Sequence, residues 1–182
     1  ETFKAIVGSI EARMPKIRKR LLVVNVFYPP QAIGGATRVV HDNVRDLKEA
    51  LGDDWQIDVI CTLEGGPKPY AIDWYVEDGI RVFAITAADR PDIDHILEDR
   101  QMAAAFATCF DIIRPDLVHF HCIQRLTTSI VDVTIEKRVP YLITMHDGWW
   151  ISPLQFLIDE HDDVQLYDLD HVVPDGAGGA LL

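Results

Sequence analysis

Apolar positions along this chain switch between two patterns. Residues 21–26, Leu-Leu-Val-Val-Asn-Val, form a near-continuous apolar run, which predicts a strand buried on both faces, as in a parallel sheet. Pro29, Pro30, Gly34 and Gly35 break the run into a loop. From Thr37 to Leu51 the period becomes helical: Val39, Val40, Val44, Leu47 and Leu51 make one stripe, and Gly52 ends it. Residues 55–62 predict a second strand with Ile57, Val59 and Cys61 on one side, and a loop rich in Gly and Pro follows over 63–71. Between Asp73 and Thr86, Asp78-Gly79 separates two β-rich runs, a hairpin signal. Residues 92–113 read as a long helix with Phe106, Phe110 and Ile113 inward. After Pro115 a strand is predicted from Leu117 to His121, then a helix from Leu126 to Lys137 burying Leu126, Ile130 and Val133. Pro140 opens a last strand, Tyr141 to Met145, that ends at His146-Asp147.

Strands alternating with helices predict an α/β fold: a Rossmann-like, mostly parallel sheet with helices on both faces and right-handed crossovers. In such sheets ligands bind at the carboxyl ends of the strands. The unusual residues fall there: Gly34-Gly35, His121, and His146-Asp147. Beyond residue 150 the pattern fades into an aromatic and apolar stretch, an acidic stretch and Gly176-Ala177-Gly178-Gly179. The architecture reads as unfinished there. At the other end, Phe3, Ile6, Val7, Ile10 and Met14 recur at helical spacing ahead of Lys16, Arg18, Lys19 and Arg20. The expected division is an amphipathic, basic helix over 1–20 and one Rossmann-like domain over 21–182. Packing of that helix on this domain, or on one preceding it, is the favoured reading; contact with an anionic membrane surface is the alternative.

Composition narrows the class. The 182 residues are 48% apolar and 25% charged, ordinary values for a globular domain. No apolar run approaches the ~18–20 residues of a membrane span, and no secretory signal is visible, although a chain beginning at Glu1 reads as a fragment. A net charge of −12 argues against nucleic-acid binding, which relies on a basic footprint. The charge is uneven: residues 1–20 hold six basic and two acidic residues, and residues 147–182 hold eight acids and no Lys or Arg. Cys61, Cys109 and Cys122 are odd in number, widely spaced and in apolar surroundings. They read as buried thiols of a reducing, cytoplasmic compartment.

Candidate chemistry lies in four places. Gly34-Gly35, between a strand and a helix, would leave backbone N–H groups open at the positive end of the helix dipole, an anion site; a plain tight turn is the simpler reading. Arg38, just inside that helix, could meet a phosphate, though such a charge is more often only solvated. His119-Phe120-His121 puts two imidazoles on one face of a strand. With His146-Asp147 they raise a metal hydrolase, weakened by the lack of further ligands. His119 is expected as the deeper, structural histidine and His121 as the one at the strand mouth. Trp149-Trp150 suits either a sugar-stacking platform or a hydrophobic lid.

Taken together, "LLVVNVFYPPQAIGGATRVVHDNVRDL" and "PDLVHFHCIQRLTTSIVDVTIEKRVPYLITMHDGWW" resemble the N-terminal domain of the retaining GT-B glycosyltransferases of family 4. The resemblance covers about residues 20–152. It implies two Rossmann-like domains facing across a cleft: this one holding mainly the acceptor, and a second, absent here, holding most of the nucleotide-sugar contacts, including a Glu-x7-Glu motif. By position, Gly34 and Gly35 would approach the donor diphosphate and His121 would reach the transferred sugar. His146 and Asp147 would line the cleft floor in an acceptor-side or supporting role, with Arg38 and Trp149 as further substrate contacts. Thr37 stands where many members carry an acidic residue after Gly-Gly-Ala.

The resemblance implies a metal-independent enzyme without cofactor. Its partners would be a nucleotide-sugar donor and a sugar or glycolipid acceptor, with a cytoplasmic location open to membrane association. A non-catalytic Rossmann-like binding domain is the alternative, and a metal-dependent hydrolase a weaker one. As an isolated half, the chain is expected to fold but not to turn over. His121→Ala is expected to act on activity, and His119→Ala on stability.

Overall fold

A computed structural model describes residues 18–31, 34–152, 156–158 and 161–164. Most of the N-terminal segment and the glycine-rich end thus lie outside the described residues. Six strands form one sheet: β1 (Lys19–Val24), β2 (Trp55–Leu63), β3 (Ile72–Glu77), β4 (Ile80–Thr86), β5 (Leu117–Phe120) and β6 (Tyr141–Ile143). Among the described residues three α-helices pack on it: α1 (Gly34–Leu51), α2 (Arg100–Ile113) and α3 (Ser129–Glu136). The sheet order is β3-β4-β2-β1-β5-β6. Five strands are parallel, and β3 is an antiparallel edge joined to β4 by the hairpin at Asp78-Gly79. This is the expected Rossmann-like α/β architecture.

Alternation along the strands divides the core in two. Leu21 and Val23 of β1, with Ile57, Val59 and Cys61 of β2, pack with Val40 and Val44 of α1. Leu22, Val24 and Ile60 point to the opposite face, where Phe106 and Phe110 of α2 and Ile130 and Val133 of α3 cover them. The near-continuous apolar run of β1 is thus the direct consequence of burial on both sides.

The chain moves outward from β1 through β2 to β4, then crosses back to place β5 on the other side of β1. The crevice between β1 and β5 is therefore the topological switch point, where open α/β sheets bind ligands outside their carboxyl ends.

Several boundaries depart from the sequence reading: α1 begins at Gly34, so the glycine pair lies in its first turn and not in the loop, and β1, β5 and β6 end at Val24, Phe120 and Ile143. β1 begins at Lys19, so Lys19 and Arg20 belong to the sheet. Lys19 lies over the Trp55 ring, and the Arg20 N–H donates to Asp116 (2.8 Å). The helix expected over 92–113 begins only at Arg100. Leu97 is held outside it: its carbonyl accepts from both the backbone and the hydroxyl of Thr128. Asp99 then caps the helix, accepting from Gln101 N (2.9 Å) and Met102 N (3.1 Å). The helix expected from Leu126 begins at Ser129, because Arg125 and Thr127 have φ of 66° and 67°, the left-handed region that ends helical winding.

Asp99 also accepts from the Tyr70 hydroxyl (2.8 Å). Asp99→Ala is expected to cost about 1–2 kcal/mol, the range for a lost N-cap, read as a lower urea midpoint at unchanged slope. An unchanged midpoint would show that the cap contributes nothing.

Candidate functional site

Three short segments meet along the carboxyl edge of the sheet: the loop after β1, the residues after β5 and the turn after β6. Asn25, the polar residue within the first apolar run, joins two of them across the switch point. It is fully buried; its side chain accepts from the backbone N–H of Cys122 (3.1 Å) and donates to the Phe27 carbonyl (2.7 Å). The Asn25 N–H donates to Ile60 O, and the His121 N–H to Val24 O. The sequence contained the signal, a carboxamide in an otherwise apolar strand, but the atom it serves lies 97 positions away.

His121 and His119 reverse their expected depths. His121 is 1% exposed, whereas His119 is only half-buried. The cause is the turn after β6, which folds over the end of β5: the Trp150 indole N–H donates to the His121 carbonyl (3.0 Å), and the His146 ring lies beside the His121 ring. Nδ1 of His121 and Nε2 of His146 are 3.0 Å apart. His119 stacks against His121 at 4.1 Å between ring centres and pairs through Nε2 with the Thr144 hydroxyl (2.8 Å). Burial, followed by the fields of His119 and His146, lowers the His121 pKa from 6.5 to about 3. Burial also lowers that of His119. His121 is therefore a neutral ring, a donor or acceptor of hydrogen bonds and not a cation.

The Asp147 carboxylate accepts from the Trp149 backbone N–H (3.0 Å) and the Gln124 side chain (3.2 Å), shaping the turn that presents His146. Trp149 is 6% exposed, and its indole N–H donates to the Asp94 carbonyl (2.9 Å). Of the two readings of this aromatic pair, packing takes Trp149: a ring face inside the core offers nothing for a sugar to stack on. An open cleft of about 400 Å³ lies against His146, Asp147 and Gly148, with Ile151, Phe156 and Leu157 on its apolar side.

Gly34, Arg38 and His41 line a separate depression of about 170 Å³ with Pro29 and Thr37. Gly34 has φ of +80°, a backbone that favours glycine, and a Cβ there would meet nothing within 4 Å. Gly34, Gly35 and Arg38 are all exposed. The helix N-terminus and the guanidinium thus face open space, as an anion site needs. The predicted residues therefore fall into two groups along one edge of the sheet.

Sequence reasoning missed the brace between these loops. Arg125 reaches Asp94 (2.6 Å) and Glu64 (2.6 Å) and lies 5.2 Å from the centre of the Phe27 ring. The side chain of Gln31 donates to the Thr62 carbonyl and accepts from the Glu64 N–H. The loops after β1, β2, β4 and β5 are thereby tied together. All three cysteines are free and buried, and burial pushes their thiols up to about 12, which removes them from nucleophilic chemistry near neutral pH. Among the described residues, no three His, Cys, Asp or Glu side chains converge as metal ligands; His121 and His146 turn nitrogens toward each other. Among the same residues, no helix is long and apolar enough to cross a membrane.

The fold is a Rossmann-like α/β domain with a histidine pair at its switch point and an exposed glycine pair at the start of α1. The chain belongs to Glycosyltransferase Family 4, whose model matches residues 33–173. Two solved structures are similar over 70% of this chain and 32% of their own length, each at 13% identity. One is described as trehalose-6-phosphate from E. coli bound with UDP-2-fluoro glucose (TM-score 0.43). The other is α,α-trehalose 6-phosphate synthase from Burkholderia multivorans (TM-score 0.39). The chain thus spans about a third of the length of these two proteins. No curated protein sequence matches it.

Proposed function

We propose that this chain is the acceptor-side domain of a retaining glycosyltransferase that uses a nucleotide-sugar donor and no metal ion. The observation that carries the reading is the family match over residues 33–173, a span that includes both groups of edge residues. Breaking a sugar–phosphate bond leaves positive charge on the sugar and negative charge on the departing diphosphate. Fixed dipoles aimed at those charges lower the barrier. Gly34 and Gly35, at the N-terminus of α1, and Arg38 would face the diphosphate. His121, neutral, would orient the transferred sugar. His146 and Asp147 would line the acceptor side of the cleft, with the acceptor hydroxyl held at the open cleft beside them. A second domain would supply the remaining donor contacts across the cleft. The buried free thiols favour a reducing compartment, and we place the protein in the cytoplasm.

The test compares the 182-residue chain with the full-length gene product, each offered a panel of nucleotide sugars with and without chelator. The full-length protein is expected to consume a donor in both conditions, and the chain alone to fold without turning over. Robust transfer by the chain alone would overturn the half-site reading. Loss of the full-length activity in chelator would overturn metal independence.

A further inference from the structure

The depression lined by Pro29, Gly34, Thr37, Arg38 and His41 has two walls, the loop after β1 and the first turns of α1, and both are fastened to the β3–β4 hairpin. We propose that Tyr75 of β3 is a positioning residue: its hydroxyl holds the Pro29 wall in place, and with it the space in which a donor diphosphate would lie against Gly34 and Arg38. The geometry stands by itself; the functional consequence rests on the placement of the diphosphate proposed above.

Residues 28–31 form a tight turn, closed by the Gln31 N–H on the Tyr28 carbonyl (3.1 Å). Its two central residues, Pro29 and Pro30, carry no N–H, so this backbone offers carbonyls whose donors must come from elsewhere. Tyr75 supplies one from 46 positions away: its hydroxyl donates to the Pro29 carbonyl at 2.7 Å and lies 3.4 Å from that of Tyr28. Strand alternation puts Tyr75 on the α1 side of the sheet, packed against the cluster that holds Tyr28, Val40 and Cys61. Trp74 and Val76 point the other way and are exposed. Packing thus fixes the ring, and the hydroxyl acts as a tether. With its proton committed to Pro29, the Cys61 thiol 4.0 Å away is left to donate to the Tyr75 oxygen; burial keeps that thiol protonated.

The opposite wall is tied to the same hairpin. His41 Nε2 meets the Asp78 carboxylate at 3.1 Å, and the Lys48 ammonium donates to the Asp78 carbonyl at 2.6 Å. His41 also packs edge-on against Tyr28, with ring centres 5.6 Å apart. The hairpin itself is referred to the sheet, since Tyr75 pairs with Val82 of β4 and β4 pairs with β2. One strand therefore sets Pro29 against α1: Tyr75 holds the loop and Asp78, three residues on, holds the helix. Loss of the Tyr75 hydroxyl leaves α1 anchored and releases only the loop. The histidines after β5 and β6 lie outside this depression and keep their own contacts.

The test is Tyr75→Phe, which keeps the ring and deletes the tether. In backbone nitrogen–proton spectra of the 182-residue chain, the Gln31, Gly34 and Gly35 signals are expected to move while those of His121 and Asp147 stay. In the full-length enzyme, the KM for the nucleotide sugar should rise about fivefold, the scale of one neutral hydrogen bond. kcat and the KM for the acceptor should change little, the pattern of binding lost equally from ground and transition states. Trp74→Ser, on the same strand but facing away, should leave the donor KM as it is, which separates the tether from a general loosening of β3. Unmoved Gly34 and Gly35 signals in Tyr75→Phe would overturn the assignment. So would a fall in kcat without a rise in donor KM, or an equal rise in Trp74→Ser. A full-length protein that uses no nucleotide sugar would refute the reading on which the consequence rests, and the backbone spectrum would still decide whether Tyr75 holds the loop.

Discussion

Replacing His121 with Asn in the full-length enzyme is expected to lower kcat by about 10²-fold or more. On the role proposed for His121, that is the effect of losing one preorganised contact worth about 3 kcal/mol in the transition state. Asn is the informative substitution because His121 is fully buried. Its short amide keeps a polar atom where Nδ1 meets His146 and deletes only the Nε2 end. His121→Ala would add a cavity beside the His119 and His146 rings and lower Tm as well, so the separation of the two histidines onto activity and stability axes does not survive the burial of His121. The acid dependence of stability should change too. The His121 pKa is about 3 when folded against 6.5 unfolded, so the unfolded chain binds more protons between those values. Stability is therefore intact above about pH 6.5 and declines as the pH falls from there toward 3. His121→Asn should flatten part of this decline, with His119, shifted the same way, supplying what remains. Full activity in His121→Asn would exclude His121 from the reaction.

The second large effect is on folding. Asp58 sits in β2 with its side chain fully buried, and the Arg81 guanidinium of β4 grips it through two bonds, 2.7 and 3.0 Å. Gln56 adds a third (2.9 Å). Arg81→Ala leaves a buried carboxylate with only the amide. Removing one partner of a buried pair costs about 3–5 kcal/mol. The lower end, about 3 kcal/mol, is expected because the Arg81 side chain is 36% exposed and water can partly replace it. Asp58→Leu combined with Arg81→Met should recover most of the loss, since burying the charge was itself costly. Denaturant midpoints of the single and double variants measure both. A loss under about 1 kcal/mol in Arg81→Ala would show that the carboxylate finds water and is not held by the pair.

The strands were legible because each carries its own evidence. β1 and β2 are buried on two faces and read as apolar runs, while Asp78-Gly79 announces its hairpin. Gly52 marks the end of α1 in the chain itself. The starts of α2 and α3 were not legible. Residues 97–99 are held by Thr128 and Ser129, partners about thirty positions away that no local window contains. The order of strands and helices located His121, His146 and Asp147 at one edge of the sheet. It did not show that His121 is buried with its carbonyl bonded to Trp150, or that Trp149 is a core residue.

By itself, the sequence determined the α/β class, the alternation of elements, the two core faces and the edge on which the unusual residues collect. These follow from periodicity and turn chemistry, which act over a few residues. Only the tertiary structure decided the partner of each buried polar atom: Asn25 with Cys122, Asp58 with Arg81, His121 with His146. Burying a polar atom demands a hydrogen bond but does not say from where. The answer depends on strand order and register, which bring together residues 97, 23 and 25 positions apart.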